Sequence, residues 1–303
     1  MISIQIKAIL GLVFTSLFWS GNIFVSKLLI GVVPPNLLNF LRWGIAIIVL
    51  LPFVYPQLRG SLSVVKSSWL SLCFFGFLGV TTYNAFLYTA AYTTASLNIA
   101  VISTITPLLT IILAWQFLGD RPRYIELLGF LLGLFGVLVL LSKGSLQNLL
   151  HMVFSYGDLW MLVACLFWAV YTVFVKKIPS KLSPILFIFF STVFGFVLAI
   201  PFVVWEQINT EIHFQFSMQA CLALLYVGIF PSVFSYLLYN NGVRVLGSKT
   251  ASLCSYLIPV FTAIMGVVLL SEKLELFHFI SQLMVFIGFC LALFGRKYSN
   301  AKP

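Results

Sequence analysis

The sequence predicts an all-α membrane protein: ten transmembrane helices arranged as two inverted five-helix repeats. Three observations carry this prediction. Of 303 residues, 61% are hydrophobic and only 8% charged, too little charge for the surface of a soluble domain of this length. Apolar runs of roughly 18 to 22 residues recur along the whole chain, the length that crosses a bilayer. The chain also repeats itself: LFWSGNIFVSK at 17–27 returns as LFWAVYTVFVK at 166–176, with Lys27 and Lys176 eight positions after Trp19 and Trp168. The runs are too long, and too free of polar alternation, for barrel strands.

The first helix covers 7–29. It is long for a cleaved signal peptide, lacks an A-x-A site and runs straight to Lys27. The second, 36–55, holds Arg42 as the one cation inside a span, about 9 Å from its start by helical rise. The third, 69–89, carries Tyr83, Asn84 and Tyr88. The fourth, 97–117, carries Asn98, Ser103 and Thr104, with Pro107 near its middle, where a kink is expected. Asp120, just ahead of Arg121-Pro122, reads as the N-cap of the fifth helix, 124–142. There Gly129, Gly133 and Gly136 form a face for tight helix packing, read as internal to the subunit in preference to a dimer contact.

A polar stretch at 142–158 follows, with Leu146, Leu149, Leu150 and Phe154 suited to one side of a short interfacial helix. The sixth helix, 157–176, ends on Lys176, and the seventh, 184–204, opens on Pro184. The eighth, 217–239, carries Ser235, Tyr236 and Tyr239, with Asn240 just beyond. The ninth, 249–270, carries Thr250, Ser255, Tyr256 and a central Pro259; the tenth is 277–295. The domains are thus a first repeat at 1–145, a linker at 146–156 and a second repeat at 157–303.

The net charge of +10 is an orientation signal. With the N-terminus cytoplasmic, thirteen Lys and Arg fall inside and only Lys27, Lys143 and Lys273 outside, a strong positive-inside bias. The basic excess therefore faces the lipid bilayer, and no nucleic-acid partner is expected. Both termini are read as cytoplasmic, and the short loops point to a multi-pass protein of a bacterial inner membrane. Five cysteines and three histidines are scattered singly, so no metal, cofactor or disulfide is expected.

Further correspondences extend the repeat: Pro35 with Pro184, then Pro107 with Pro259, Asp120 with Glu272 and Gly136 with Gly288. Five spans per unit is an odd number, so the second unit enters the membrane from the opposite side. Inverted repeats of this kind are the architecture of secondary transporters, with substrate bound near the midplane between the halves.

The fragments LFWSGNIFVSKLL, PPNLLNFLRW, YNAFLYTAAYTTASLNIAVISTITP, FLGDRP, LGFLLGLFGVLVL, LGSKTASLCSYLIPVF and LLSEKLE resemble, in this order, the EamA-type family of the drug/metabolite transporter superfamily. The resemblance spans about 8–142 and 157–296. Asp120 stands where the family usually has Glu, and Ser281 where it usually has Gly. The resemblance implies a carrier of small metabolites, often outward, whose cavity is surrounded by helices 1, 3, 4, 6, 8 and 9.

Polar residues in membrane helices face protein or water. In the first helix Thr15, Trp19, Asn22 and Ser26 make one stripe, with Ser16, Ser20 and Lys27 beside it. Cavity lining and close helix packing both fit this stripe. The candidate substrate contacts are Trp19, Asn22, Tyr83, Asn84, Trp168, Tyr171, Tyr236, Ser255 and Tyr256, an aromatic, hydroxyl-rich and nearly uncharged set. It suits amino acids or other amphipathic and aromatic small molecules better than a phosphate ester, which requires several cations. Tyr88 and Tyr239 fit a membrane-interface belt equally well. Arg42 either snorkels outward or faces the cavity mouth, where it draws a carboxylate or closes an outer gate.

Inversion gives each membrane face one lysine and one acid from opposite halves. This predicts gate pairs of Lys27 with Glu272 or Glu275 and of Asp120 with Lys176 or Lys177, beside the plainer reading of snorkelling lysines. Glu126 and Asp158 are the acids nearest the pathway, and both read as first-turn acids. Downhill facilitation or exchange is therefore favoured over proton coupling. The rival classes are a passive channel and an intramembrane enzyme; the seven acids and three histidines form no catalytic set. The expected partners are a small-molecule substrate and lipid, with the protein a monomer or homodimer.

Overall fold

A computed structural model describes residues 3–29, 31–94, 99, 102–151, 155–178, 182–211, 214–270 and 275–297. These residues are mostly helical, with short turns between helices and no strand among them. The helices are α1 (Ile4–Leu28), α2 (Pro35–Val54), α3 (Leu58–Ser67), α4 (Trp69–Thr93), α5 (Thr106–Leu118), α6 (Tyr124–Leu141) and α7 (Leu146–Leu150). They continue as α8 (Tyr156–Phe174), α9 (Pro184–Asn209), α10 (Met218–Leu246), α11 (Ser248–Ser252), α12 (Leu257–Leu270) and α13 (Leu276–Lys297). Among the described residues seven are long and apolar enough to cross a membrane: α1, α2, α4, α6, α8, α9 and α10.

The expected fourth and ninth helices are not continuous. A turn at Thr104 and Ile105 precedes α5, and a 3-10 turn at Leu253–Tyr256 separates α11 from α12. Pro107 and Pro259 each sit in the first turn after the break, where a missing N–H costs nothing. They start new segments instead of kinking old ones. Asp120 is not a helix cap either: α6 begins at Tyr124 with Arg123 at its N-cap position. Two further short helices are present, α3 in the expected loop after α2 and α7 in the linker.

The largest helix contacts pair the two halves of the chain, and they come in sets related by the sequence repeat. α1 packs on α10 and α12, as α8 packs on α4 and α5; α2 packs on α9 and α10, as α9 packs on α2 and α4. The caps follow the same rule. Glu206, near the end of α9, accepts from the Asn36 and Leu37 backbone N–H groups at the start of α2, each at 2.9 Å. Gln57, its counterpart 149 positions earlier, accepts from the Ser183 hydroxyl at the start of α9 at 3.0 Å.

Both long helices α4 and α10 widen into a π segment at matching places, Phe77–Thr82 and Phe230–Phe234. Such a bulge loosens carbonyls from the helical ladder. Hydroxyls five residues on take them up: Thr82 donates to the Phe77 carbonyl at 2.8 Å, Ser232 to Val227 at 2.6 Å and Ser235 to Phe230 at 3.1 Å.

The predicted glycine face of α6 packs on α13 within the subunit. A Cβ built on Gly288 would lie 2.6 Å from the Gly129 carbonyl oxygen and 2.8 Å from the Gly133 nitrogen, and one on Gly129 would lie 2.6 Å from the Gly288 oxygen. Backbone thus meets backbone, and nothing flexible can yield. Gly288→Ala is therefore expected to cost about 1–3 kcal/mol by overpacking and to lower the thermal unfolding midpoint in detergent. Gly60→Ala, with open space around its Cβ, is the control that leaves the midpoint unchanged or slightly raised.

Candidate functional site

The first-helix stripe divides in two. Ser16 donates to the Cys254 carbonyl at 2.8 Å, Ser20 to Ile258 at 2.9 Å and Thr15 to Ser235 at 3.4 Å, so these three hydroxyls pack α1 on its neighbours. Trp19 and Asn22 instead reach the meeting place of α1, α2, α4, α8 and α10. Trp19 donates its indole N–H to the Pro231 carbonyl in the α10 π segment at 3.2 Å. Its ring meets Trp168, its counterpart in the other half, edge to face with centroids 5.1 Å apart.

Around this pair stands an aromatic centre. Tyr171 stacks on Trp168 at 4.9 Å, and Tyr83 lies 5.0 Å, Tyr239 5.2 Å and Tyr236 5.4 Å from the same ring. Tyr236 donates to the Gly79 carbonyl in the α4 π segment. Tyr171 and Asn240 bond each other, at 3.0–3.1 Å, and Tyr239 bonds Thr172 at 2.8 Å. Tyr88, Tyr239 and Asn240 are all buried, so the belt reading of the two tyrosines does not apply.

Arg42 does not snorkel. It is 1% exposed, with its guanidinium held by neutral groups from both halves. Nε donates to the Ser232 hydroxyl at 2.9 Å; Nη1 donates to Asn84 Oδ1 at 2.8 Å and to the Tyr88 hydroxyl at 2.6 Å. Tyr88 passes its own proton to Asn22 Oδ1 at 3.0 Å. The guanidinium carbon lies 5.0 Å from the Trp43 ring centroid, a cation–π contact. Trp43 is fixed in turn by Asn39, whose amide donates to the Val80 and Thr81 carbonyls.

Seven of the nine expected contact residues lie in or beside this region; Ser255 and Tyr256 fall in the turn between α11 and α12, where Ser255 is half-buried. Tyr256 is buried instead against Gly133 in the apolar cluster of α6 and α13.

The second polar cluster lies where α5, α6 and α11 meet. Lys249, 6% exposed, bonds Asp120 Oδ1 and Glu126 Oε2, both at 2.9 Å, and the Arg121 carbonyl at 3.2 Å. Glu126 also accepts from the Arg123 N–H at 3.0 Å. Asp120 pairs with Lys249, while Lys177, one of its two expected partners, lies over the Phe174 ring. The side chains of Lys27 and Lys176, and Glu272 as a whole, lie outside the described residues.

Sequence reasoning missed Trp43, Ser232 and Lys249. Trp43 and Ser232 carried no pattern of their own. Lys249 counted only as one more inner-face cation, although the fragment GSKTASL already marked its place in the repeat.

A sequence model of the EamA-like transporter family matches residues 6–142 and again 155–294. An uncharacterized transporter of Archaeoglobus fulgidus is 29% identical over 93% of this chain and 96% of its own. The uncharacterized transporter YetK of Bacillus subtilis is 27% identical over 93% and 86%. A crystal structure of 21% identity superposes with a TM-score of 0.77 over 96% of this chain and 98% of that one, which shows a shared fold.

The lysine cluster has an internal ranking. Removing one partner of a buried ion pair strands the other, at about 3–5 kcal/mol, whereas a partner with an exposed route to water loses about 1 kcal/mol or less. Glu126 is 8% and Asp120 38% exposed at the side chain. Thermal unfolding in detergent is therefore expected to fall steeply for Lys249→Ala and Glu126→Ala, and slightly for Asp120→Asn.

Proposed function

This chain belongs to the EamA-like transporter family and, with seven helices long and apolar enough to cross a bilayer, is a multi-pass membrane protein; from this we propose that it is a secondary transporter of small amphipathic or aromatic metabolites, amino acids among them, working by alternating access between two inverted repeats. Ten crossings would put both termini on one face, which the positive-inside bias makes the cytoplasmic face of a bacterial inner membrane.

One observation carries the reading: Trp19 and Trp168, the same residue of each repeat, meet edge to face. A site built on the axis that relates two halves is exposed to one side or the other as the halves rock. The surrounding tyrosines offer stacking faces together with hydroxyls, the chemistry of a small aromatic or amphipathic solute. The Lys249–Asp120–Glu126 cluster ties the start of α11 to α5 and α6 at one end of the bundle, and it acts as a latch that parts when that end opens.

The described acids with partners sit at helix ends: Asp120 and Glu126 on Lys249, Asp158 on the α8 N-terminus and Glu206 on that of α2. Movement down a gradient, or exchange, needs no acid at the centre and fits this distribution.

Reconstituted vesicles give the test. Saturable flux is expected for at least one member of a panel of aromatic and aliphatic amino acids and their neutral analogues. Trp19→Ala and Trp168→Ala are each expected to lower it about tenfold or more. Flux that rises without saturation indicates a channel. Tags at the two termini reached from opposite faces would rule out ten crossings.

A further inference from the structure

We propose that Arg42 and Asn84 form an anchor for a carboxylate, so that the substrate carries an organic acid group beside its apolar body. The proposal rests on the transporter reading above and names the substrate class of that same site.

The argument begins with charge. Arg42 stays protonated under all physiological conditions, and here it is 1% exposed. A buried guanidinium is ordinarily matched by an acid. Among the described residues none pairs with it: Ser232, Asn84 and Tyr88 are all neutral. The next protein shell is neutral too, since Tyr88 leans on Asn22 and Ser232 on the Val227 carbonyl.

The hydrogen bonds are also incomplete. A guanidinium has five N–H groups. Nε uses one and Nη1 two, while no described residue accepts from Nη2. Beside it, Asn84 is 3% exposed, and its amide nitrogen, with Oδ1 already on Arg42, is buried and has no hydrogen-bond partner among the described residues. A buried donor left unpaired is destabilising. One positive charge with unused N–H donors on two side chains describes a receptor for a single anion that has two oxygens.

That anion is a carboxylate. A phosphate ester brings a second charge and calls for further cations, and Arg42 is alone. The rest of the substrate has an apolar place to lie. Trp43, over which the guanidinium sits, touches Tyr236 at 5.1 Å, and Tyr236 touches Trp168 at 5.4 Å. The anchor is therefore contiguous with the aromatic centre. It is also one-sided: the counterpart of Arg42, 149 positions on, is Ser191, whose hydroxyl bonds only the Ile188 carbonyl of its own helix. The substrate acid thus has a fixed end within an otherwise repeated frame. Arg42 and Asn84 are both buried in the arrangement described here, so a ligand reaches the anchor when α1 and α10 move off the α2–α4 pair that carries it.

The experiment uses purified full-length protein, followed by thermal unfolding with and without 3-phenylpropionate, and with its neutral isostere 3-phenylpropionamide. The acid at ten times its Kd is expected to raise the midpoint by about 2–4 °C, and the amide not at all. Asn84→Asp supplies an internal carboxylate in place of the ligand. It is expected to raise the midpoint of the unliganded protein and to abolish the acid-induced rise. Arg42→Gln is expected to lose the same rise. Equal shifts for acid and amide overturn the proposal, and so does an Asn84→Asp protein that is no more stable than the parent.

Flux in vesicles separates this proposal from the one it rests on. Saturable flux with no preference for acids leaves a transporter without this anchor. An acid-specific stabilisation with no flux of any panel member leaves the anchor and removes the transporter reading.

Discussion

The hydrocarbon core of a bilayer offers no water, so every polar group held there must find its partner inside the protein. That constraint organises this molecule. Each π segment frees carbonyls at mid-helix, and the chain answers with a hydroxyl placed five residues along. Those carbonyls left facing a neighbour receive a donor from the opposite half or the adjoining helix: Pro231 from Trp19, Gly79 from Tyr236, Val80 and Thr81 from Asn39. The aromatic centre is therefore no loose collection of rings. Trp19 and Tyr236 are hydrogen-bonded at their polar ends to the irregular stretches of α10 and α4, which sets where these two rings lie.

The same constraint separates what is symmetric from what is not. Helix pairing, the two π segments, the terminal caps at Glu206 and Gln57 and the Trp19–Trp168 contact all obey the repeat. These features hold two copies of one unit together and require no further meaning. Arg42 and Lys249 depart from it: Ser191 stands opposite Arg42, and none of residues 93–97, where the counterpart of Lys249 falls, is charged. A buried cation is costly, and each is present once. Duplication explains the frame; it does not explain the charges set within it.

How much of this was legible in the sequence follows from the range of each signal. Apolar run length and the returning LFW fragment act along the chain itself, so helix positions, the family resemblance and the central place of Trp19 and Trp168 were readable. The glycine face of α6 was readable for the same reason, because small residues at helical spacing have one packing use. The breaks before Pro107 and Pro259 were read as kinks, since a proline in an apolar run does not declare whether the helix resumes in line. The partners of Asp120 and Arg42 were out of reach, because they depend on which helices touch. Tyr88 and Tyr239 were assigned by depth along a helix, which says nothing about the face they occupy.

Alternating access, as proposed, requires two arrangements of nearly equal free energy, and the contact types here fit that requirement. Where α6 meets α13, backbone lies on backbone at glycine, a contact that tolerates no sliding and makes the pair one rigid body. At the centre, by contrast, the halves meet through aromatic edges and faces. Such pairs are worth only about 0.5–1.5 kcal/mol each beyond their burial, and they tolerate a change of tilt, so rings can exchange neighbours while remaining packed. The ionic cluster at Lys249 sits at an end of the bundle, with Asp120 38% exposed, so water can take over one carboxylate as the cluster parts. Moving a population from one arrangement to the other takes about 5.5 kcal/mol of bias for a hundredfold excess on each side. A few rearranged ring contacts and one opened ion cluster are of that size, which a rigid glycine seam could not supply.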